Sequence, residues 1–177
     1  MIYLNALELL RRHTPLPFGW CEVVVGYDFG ILSVREIQNW IHAIPGHGAE
    51  AAKAASLEGP DLLRFEETLW AACTEATGKR VPRPGHQRWA VAQDLWRLAL
   101  LKEILCWPLD ELEFGEAIET IITRVGCPED MLGLIRTGCA WTKEAVAADR
   151  PAVAAFVRGL ERRFLPEECK WMALAAS

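Results

Sequence analysis

No C-x-x-C, no H-E-x-x-H, no G-x-S-x-G and neither phosphate-cradling glycine run, G-x-x-x-x-G-K or G-x-G-x-x-G, occurs in the sequence. Their absence removes the local signatures of zinc and dithiol sites, zinc peptidases, serine hydrolases and nucleotide loops. Histidine is scarce, at four residues. His42 and His47 are separated by Pro45, so they share no helix face, and no metal or cofactor is expected. The most apolar stretch, residues 89–107, is interrupted by Asp94, Arg97, Lys102 and Glu103, which excludes a membrane span there. The opening MIYLNALELLRR has Asn5 and Glu8 inside its apolar run and no basic residue ahead of it, unlike a secretory leader. Cysteines at 21, 73, 106, 127, 139 and 169 lack the short spacings of a disulfide framework, and Cys73 shares an apolar stripe with Leu62, Phe65 and Leu69. A reduced, cytoplasmic setting is the expectation.

What is present suffices for a folded core. The chain has 177 residues, 51% apolar and 24% charged, enough for a single domain over 1–177 that needs no metal or disulfide. Its eight tryptophans read first as large core fillers. Helical periodicity runs nearly throughout. Residues 3–12 carry Leu4, Leu7 and Leu10 along one side before Pro15 and Pro17 stop them. Ser33 and Glu36 form a capping-box signature for a helix reaching residue 44. An Ala-rich piece follows at 49–57; Asp61 caps a helix ending at Gly78, and residues 79–88 form a basic, proline-punctuated loop.

Residues 89–107 are apolar on almost all sides, the pattern of a central buried helix. After the Asp110 cap, Phe114, Ile118, Ile121, Ile122 and Val125 mark one face of the next helix, with acids on the other. A short helix over 128–136, a turn, a helix opened by Asp149 and Pro151, and a final piece from Pro166 complete the chain. The expectation is an all-α bundle of about seven to nine helices.

Charge is unevenly distributed. Residues 101–150 hold ten acidic and five basic side chains, and so carry the whole net charge of −5. Seven of those acids, Asp110, Glu111, Glu113, Glu116, Glu119, Glu129 and Asp130, are opposed locally by Arg124 alone. Such a surface attracts and steers a cationic protein partner. Glu113, Glu116 and Glu119 have no Glu-x-x-His nearby, so a solvated face is favoured over metal ligation. Residues 19–44 have the outline of a helix-turn-helix DNA reader, but the second helix offers Arg35 as its one firm base while Glu22 and Asp28 precede it. Phosphate binding requires the opposite balance, so no nucleic acid and no membrane partner is expected.

The run Trp20, Glu22, Gly26, Tyr27, Gly30, Leu32, Ser33, Ile37, then LEGPDLLRFEETL and KEILCWPLDELEFGEAIETIITRVGCPEDMLGLIR, resembles a family of small bacterial proteins that is itself a domain of unknown function. Its pattern reads W-x-E-I-x-x-G-Y-x-x-G-x-L-S, then a Trp-rich helix and an acidic helix. The resemblance covers about residues 18–165 and departs from the family in the Ala-rich piece and the basic loop. In size and acidity the chain is also similar to immunity proteins of bacterial toxin systems, which bind and mask a toxin and catalyse nothing. The resemblance implies a non-enzymatic, protein-binding protein and carries over no contact residue; the charge distribution places the expected contact surface on the seven acids. An enzyme whose site the sequence does not announce, or a DNA binder using 19–44, are the alternatives.

Overall fold

The computed structural model describes residues 5–58, 61–137 and 146–164. Within them the chain forms eight α-helices: α1 (Ala6–His13), α2 (Trp20–Asp28), α3 (Val34–His42), α4 (Ala49–Ser56), α5 (Leu62–Thr77), α6 (Gln87–Cys106), α7 (Glu111–Arg124) and α8 (Arg150–Phe164). The expected all-α class is found. One small exception lies between α7 and α8. The helix expected at 128–136 is a 3-10 turn, Glu129–Leu134, leading into β1 (Ile135–Thr137), which pairs antiparallel with β2 (Val146–Ala148). Three-residue strands are too short for alternation to announce them. The final piece expected from Pro166 lies outside the described residues.

Capping chemistry sets the boundaries. Ser33 accepts the Glu36 amide at 3.3 Å while Glu36 accepts the Ser33 amide at 2.9 Å, and Glu36 also takes the Ala6 amide at 3.1 Å. Burial raises the Glu36 pKa, but the bonds to Ser33 and Ala6 outweigh it and hold the carboxyl below its ordinary range. That helix stops at His42, because Pro45 bars residue 44 from the α region. Gly78 closes α5 with φ +63°, a left-handed conformation that suits glycine.

The chain divides into two compact units, Met1–Glu8 with Phe18–Gln93 and Leu9–Pro17 with Asp94–Ser177. In the first, α5 packs on α2 and α4, and α3 on α4. Val23, Val24 and Val25 are all fully buried with Ile37, Ile41, Leu69 and Cys73, so three consecutive valines serve a helix enclosed on several sides. Trp20 and Trp40 meet edge to face at 4.9 Å between ring centroids. Glu75 of α5 supplies the N-cap that Gly48 lacks, accepting the amides of Ala49 at 3.2 Å and Glu50 at 3.0 Å.

In the second unit, Leu98 to Leu101 are four consecutive buried residues of α6, as a central helix requires, and the β1–β2 ribbon packs on α7. The expected apolar face of α7 is buried from Phe114 to Val125. Arg150, at the start of α8, lies 4.1 Å over the Phe114 ring and donates to the Leu109 carbonyl at 2.7 Å, fixing the α6–α7 connection.

Candidate functional site

The seven acids expected to form a contact surface divide by what they touch. Asp110 accepts the Glu113 amide at 2.8 Å and Glu113 accepts the Asp110 amide at 3.2 Å, so this pair is the capping box that starts α7. Glu111, Glu116 and Glu119 are exposed and have no ion pair among the described residues. Three-residue steps place Glu113, Glu116 and Glu119 within an arc of about 120° on the solvent side of α7. Leu112, 44% exposed, sits on the same side. Glu129 is exposed at the start of the 3-10 turn.

Asp130 belongs elsewhere. Its Oδ1 takes Arg97 Nη2 at 2.6 Å and its Oδ2 lies 3.6 Å from Arg163 Nη2, while Asp94 takes Arg97 Nη1 at 2.7 Å and Arg163 Nη1 at 2.8 Å. Arg97 is 4% exposed and stacks on Phe156 at 5.2 Å. Two cations and two anions alternating at these distances form a fastener between α6, α8 and the 3-10 turn, which explains charges inside the central helix. The Asp130 carboxylate is therefore engaged within the fold, and the sequence segment it shares with Glu129 does not carry over into a shared environment.

A cleft of about 530 Å³ opens in the same unit, lined by Arg12, His13, Thr14 and Pro15 from the end of α1 and beyond, Lys102 from α6, and Arg158, Glu161 and Arg162 from α8. Of its lining residues, His13 is held by a residue outside the lining: His13 Nε2 lies 2.6 Å from Glu103 Oε2, and Glu103 Oε1 takes the Trp107 indole at 3.2 Å. Burial pushes the Glu103 carboxyl up, but the bonds from His13 and Trp107 and the nearby Arg12 outweigh it, so its pKa is below the ordinary value. An ionised carboxylate accepts and cannot donate, so Nε2 carries the proton of this bond and Nδ1 is the nitrogen left for other partners. Lys102 pairs with Glu161 at 2.8 Å. Sequence reasoning missed this assembly because its residues are about ninety positions apart; the signal available was Lys102 and Glu103 side by side in an apolar helix.

The first unit holds a second basic cleft, also about 530 Å³, lined by Thr74, Arg80, Val81, Arg83 and His86 of α5 and the basic loop. Arg88 anchors that loop, donating to the Arg80 carbonyl at 3.0 Å and to Cys21 Sγ at 2.6 Å. Cys73 beside it is fully buried, and burial, with Cys21 nearby, pushes its thiol up to about 12; it is a small hydrophobe, as its stripe predicts. The helix-turn-helix outline at 19–44 is present as α2 and α3, joined through Gly30 at φ +62°. Asp28, at the end of α2, has Glu66 of α5 for a neighbour, which opposes a phosphate backbone. Among the described residues no three histidine, cysteine or carboxylate side chains gather as a metal-holding group, and no helix is long and apolar enough to cross a membrane.

No family model matches the chain, and no curated protein or solved structure is significantly similar to it.

Proposed function

We propose that this is a non-enzymatic protein-binding protein that engages a cationic protein through the solvent face of α7, the sharpest version being an immunity protein that masks a bacterial toxin in the cytoplasm. The observation that carries the reading is the set of exposed carboxylates Glu111, Glu116 and Glu119, unpaired among the described residues, beside the exposed apolar Leu112. An apolar anchor with a charged surround is the anatomy of a steered interface. Asp110 and Glu113 hold the start of α7 in shape, Glu129 extends the acidic surface, and blocking is steric and electrostatic. The test is co-expression with the product of the adjacent gene. That product alone arrests growth, co-expression with this chain restores it, and E116K/E119K abolishes the rescue. An affinity and salt dependence unchanged by the charge reversal would overturn the α7 face.

One observation favours a second reading, an enzyme: His13 held against Glu103 in the wall of a cleft. A carboxylate-oriented imidazole is suited to proton transfer. Hydrolysis of a chromogenic ester panel that disappears in H13A supports it, and activity indifferent to H13A removes it.

A further inference from the structure

We infer that the cleft in the second unit binds the phosphate group of a small organic phosphomonoester, with Arg158 and Arg162 as its principal ligands. Four cations, Arg12, Lys102, Arg158 and Arg162, line this cavity against one carboxylate, Glu161. Glu161 is already held by Lys102 at 2.8 Å, and Arg12 reaches Glu103 only at 3.8 Å. Arg158 and Arg162 are exposed, four apart on α8, and neither has an ion pair among the described residues. Residues at that spacing lie on one helix face, so two guanidinium forks point from the same wall.

Charge magnitudes select the ligand. The lining has a surplus of three positive charges, or two once buried Glu103 is counted. Arg12 and Arg162 stand in the last turns of α1 and α8, where each helix end contributes about half a negative charge. About one to two positive charges are left, the complement of the roughly 1.5 to 2 negative charges of a phosphomonoester near neutral pH. Guanidinium matches phosphate bidentately, which ammonium does not. The volume, about 530 Å³, is in the range of small-molecule pockets and exceeds what a bare phosphate fills. Pro15 and the methylene stems of Lys102 and the arginines supply apolar wall for the organic part. A nucleic acid backbone fits less well, since a chain of net charge −5 repels a long polyanion.

The experiment is a titration of the isotopically labelled full chain with phenyl phosphate and with inorganic phosphate at constant ionic strength, read by NMR. Saturable shifts are expected at the Thr14 amide and at the Arg158 and Arg162 guanidinium groups, with phenyl phosphate binding several-fold more tightly than inorganic phosphate. R158A/R162A weakens binding about tenfold, R158K/R162K falls between it and the wild type because charge is kept and the fork lost, and R80A/R83A changes nothing. If thermal scans show R158A/R162A to be unfolded, the lysine variant carries the comparison. No saturable shift, an equal response at Arg80 and Arg83, equal affinity for the two phosphates, or tighter binding of a single-stranded oligonucleotide through the same residues each overturns the proposal.

Discussion

The acidic face of α7 and the cationic cleft of α1, α6 and α8 belong to one unit and carry opposite charge by opposite means. On α7 the charges are neighbours on one helix, exposed, and Glu111, Glu116 and Glu119 answer to no partner among the described residues. In the cleft they come from three helices, and much of the lining is already tied: Lys102 to Glu161, His13 to Glu103, Arg12 more loosely to Glu103. A single-helix surface keeps its field without shape and suits a large partner met by diffusion. A multi-helix cleft converges its groups on one point and suits a small anion. The Asp94–Arg97–Asp130–Arg163 fastener of the same unit uses the same residue types for neither purpose.

The largest test of that division removes the fastener. Arg97→Ala removes the buried cation and its stacking on Phe156, and leaves Asp94 and Asp130 with the half-exposed Arg163 as their one remaining cation in the fastener. Loss of one member of a buried pair typically costs 3–5 kcal/mol, and the partial exposure of Asp130 places the expected loss near the lower end, about 3 kcal/mol. Urea denaturation measures it. A loss under about 1 kcal/mol makes the fastener a surface feature and returns Asp130 to the acids available for contact.

Next in size is Glu103→Gln, at the carboxylate that holds His13 of the cleft. Replacing a carboxylate that takes His13 and Trp107 removes a charge-assisted bond and is expected to cost about 2 kcal/mol at pH 7. The pH dependence has a definite sign. The folded pKa of Glu103 is below its unfolded value of 4.5, so its contribution is fully present above that value and is lost as pH falls through the lowered folded pKa. The wild type and E103Q therefore differ at pH 7 and converge in strong acid. A gap that stays constant down to acid pH shows that the wall does not depend on the Glu103 charge.

Capping gives the third test and separates fold from contact within the acidic segment itself. Asp110→Ala is expected to destabilise by about 1 kcal/mol, and Asp110→Asn by a few tenths, since both side chains offer an oxygen to the Glu113 amide. Affinity for a cationic partner changes little beyond the loss of one charge. A large affinity loss in D110N, with stability intact, moves Asp110 from the cap to the contact.

The two surfaces also differ in how far the sequence discloses them. Helix α7 is legible because its cap, its apolar face and its acids repeat at short range, and the burial of Phe114, Ile118, Ile121 and Ile122 follows that spacing. The same local logic places the Ser33 and Asp61 caps and the enclosed helix at 98–101. It misplaces what depends on distant partners. Asp130 reads as one more free acid because Arg97 and Arg163 are each 33 residues away, and the cleft needs positions 12, 102, 158 and 162 together. The β1–β2 ribbon escapes because strand pairing is non-local and three residues carry no period. The charges inside the apolar stretch of α6 are the visible hint, since a buried charge demands a partner and each of Asp94, Arg97, Lys102 and Glu103 has one.

The smallest effect addresses why the acidic face exists. Glu116 has Glu113 three residues before it and Glu119 three after, all exposed, and like charges at that spacing destabilise a helix by a few tenths of a kcal/mol. Glu116→Lys turns both repulsions into attractions, so the variant is expected to be more stable by about 0.3–0.5 kcal/mol, seen as a small rise in the thermal midpoint that fades with added salt. A stabilising substitution there means that the carboxylate does not serve folding. If E116K instead lowers stability, Glu116 has a structural role in the fold, and the case for α7 as a partner surface weakens with it.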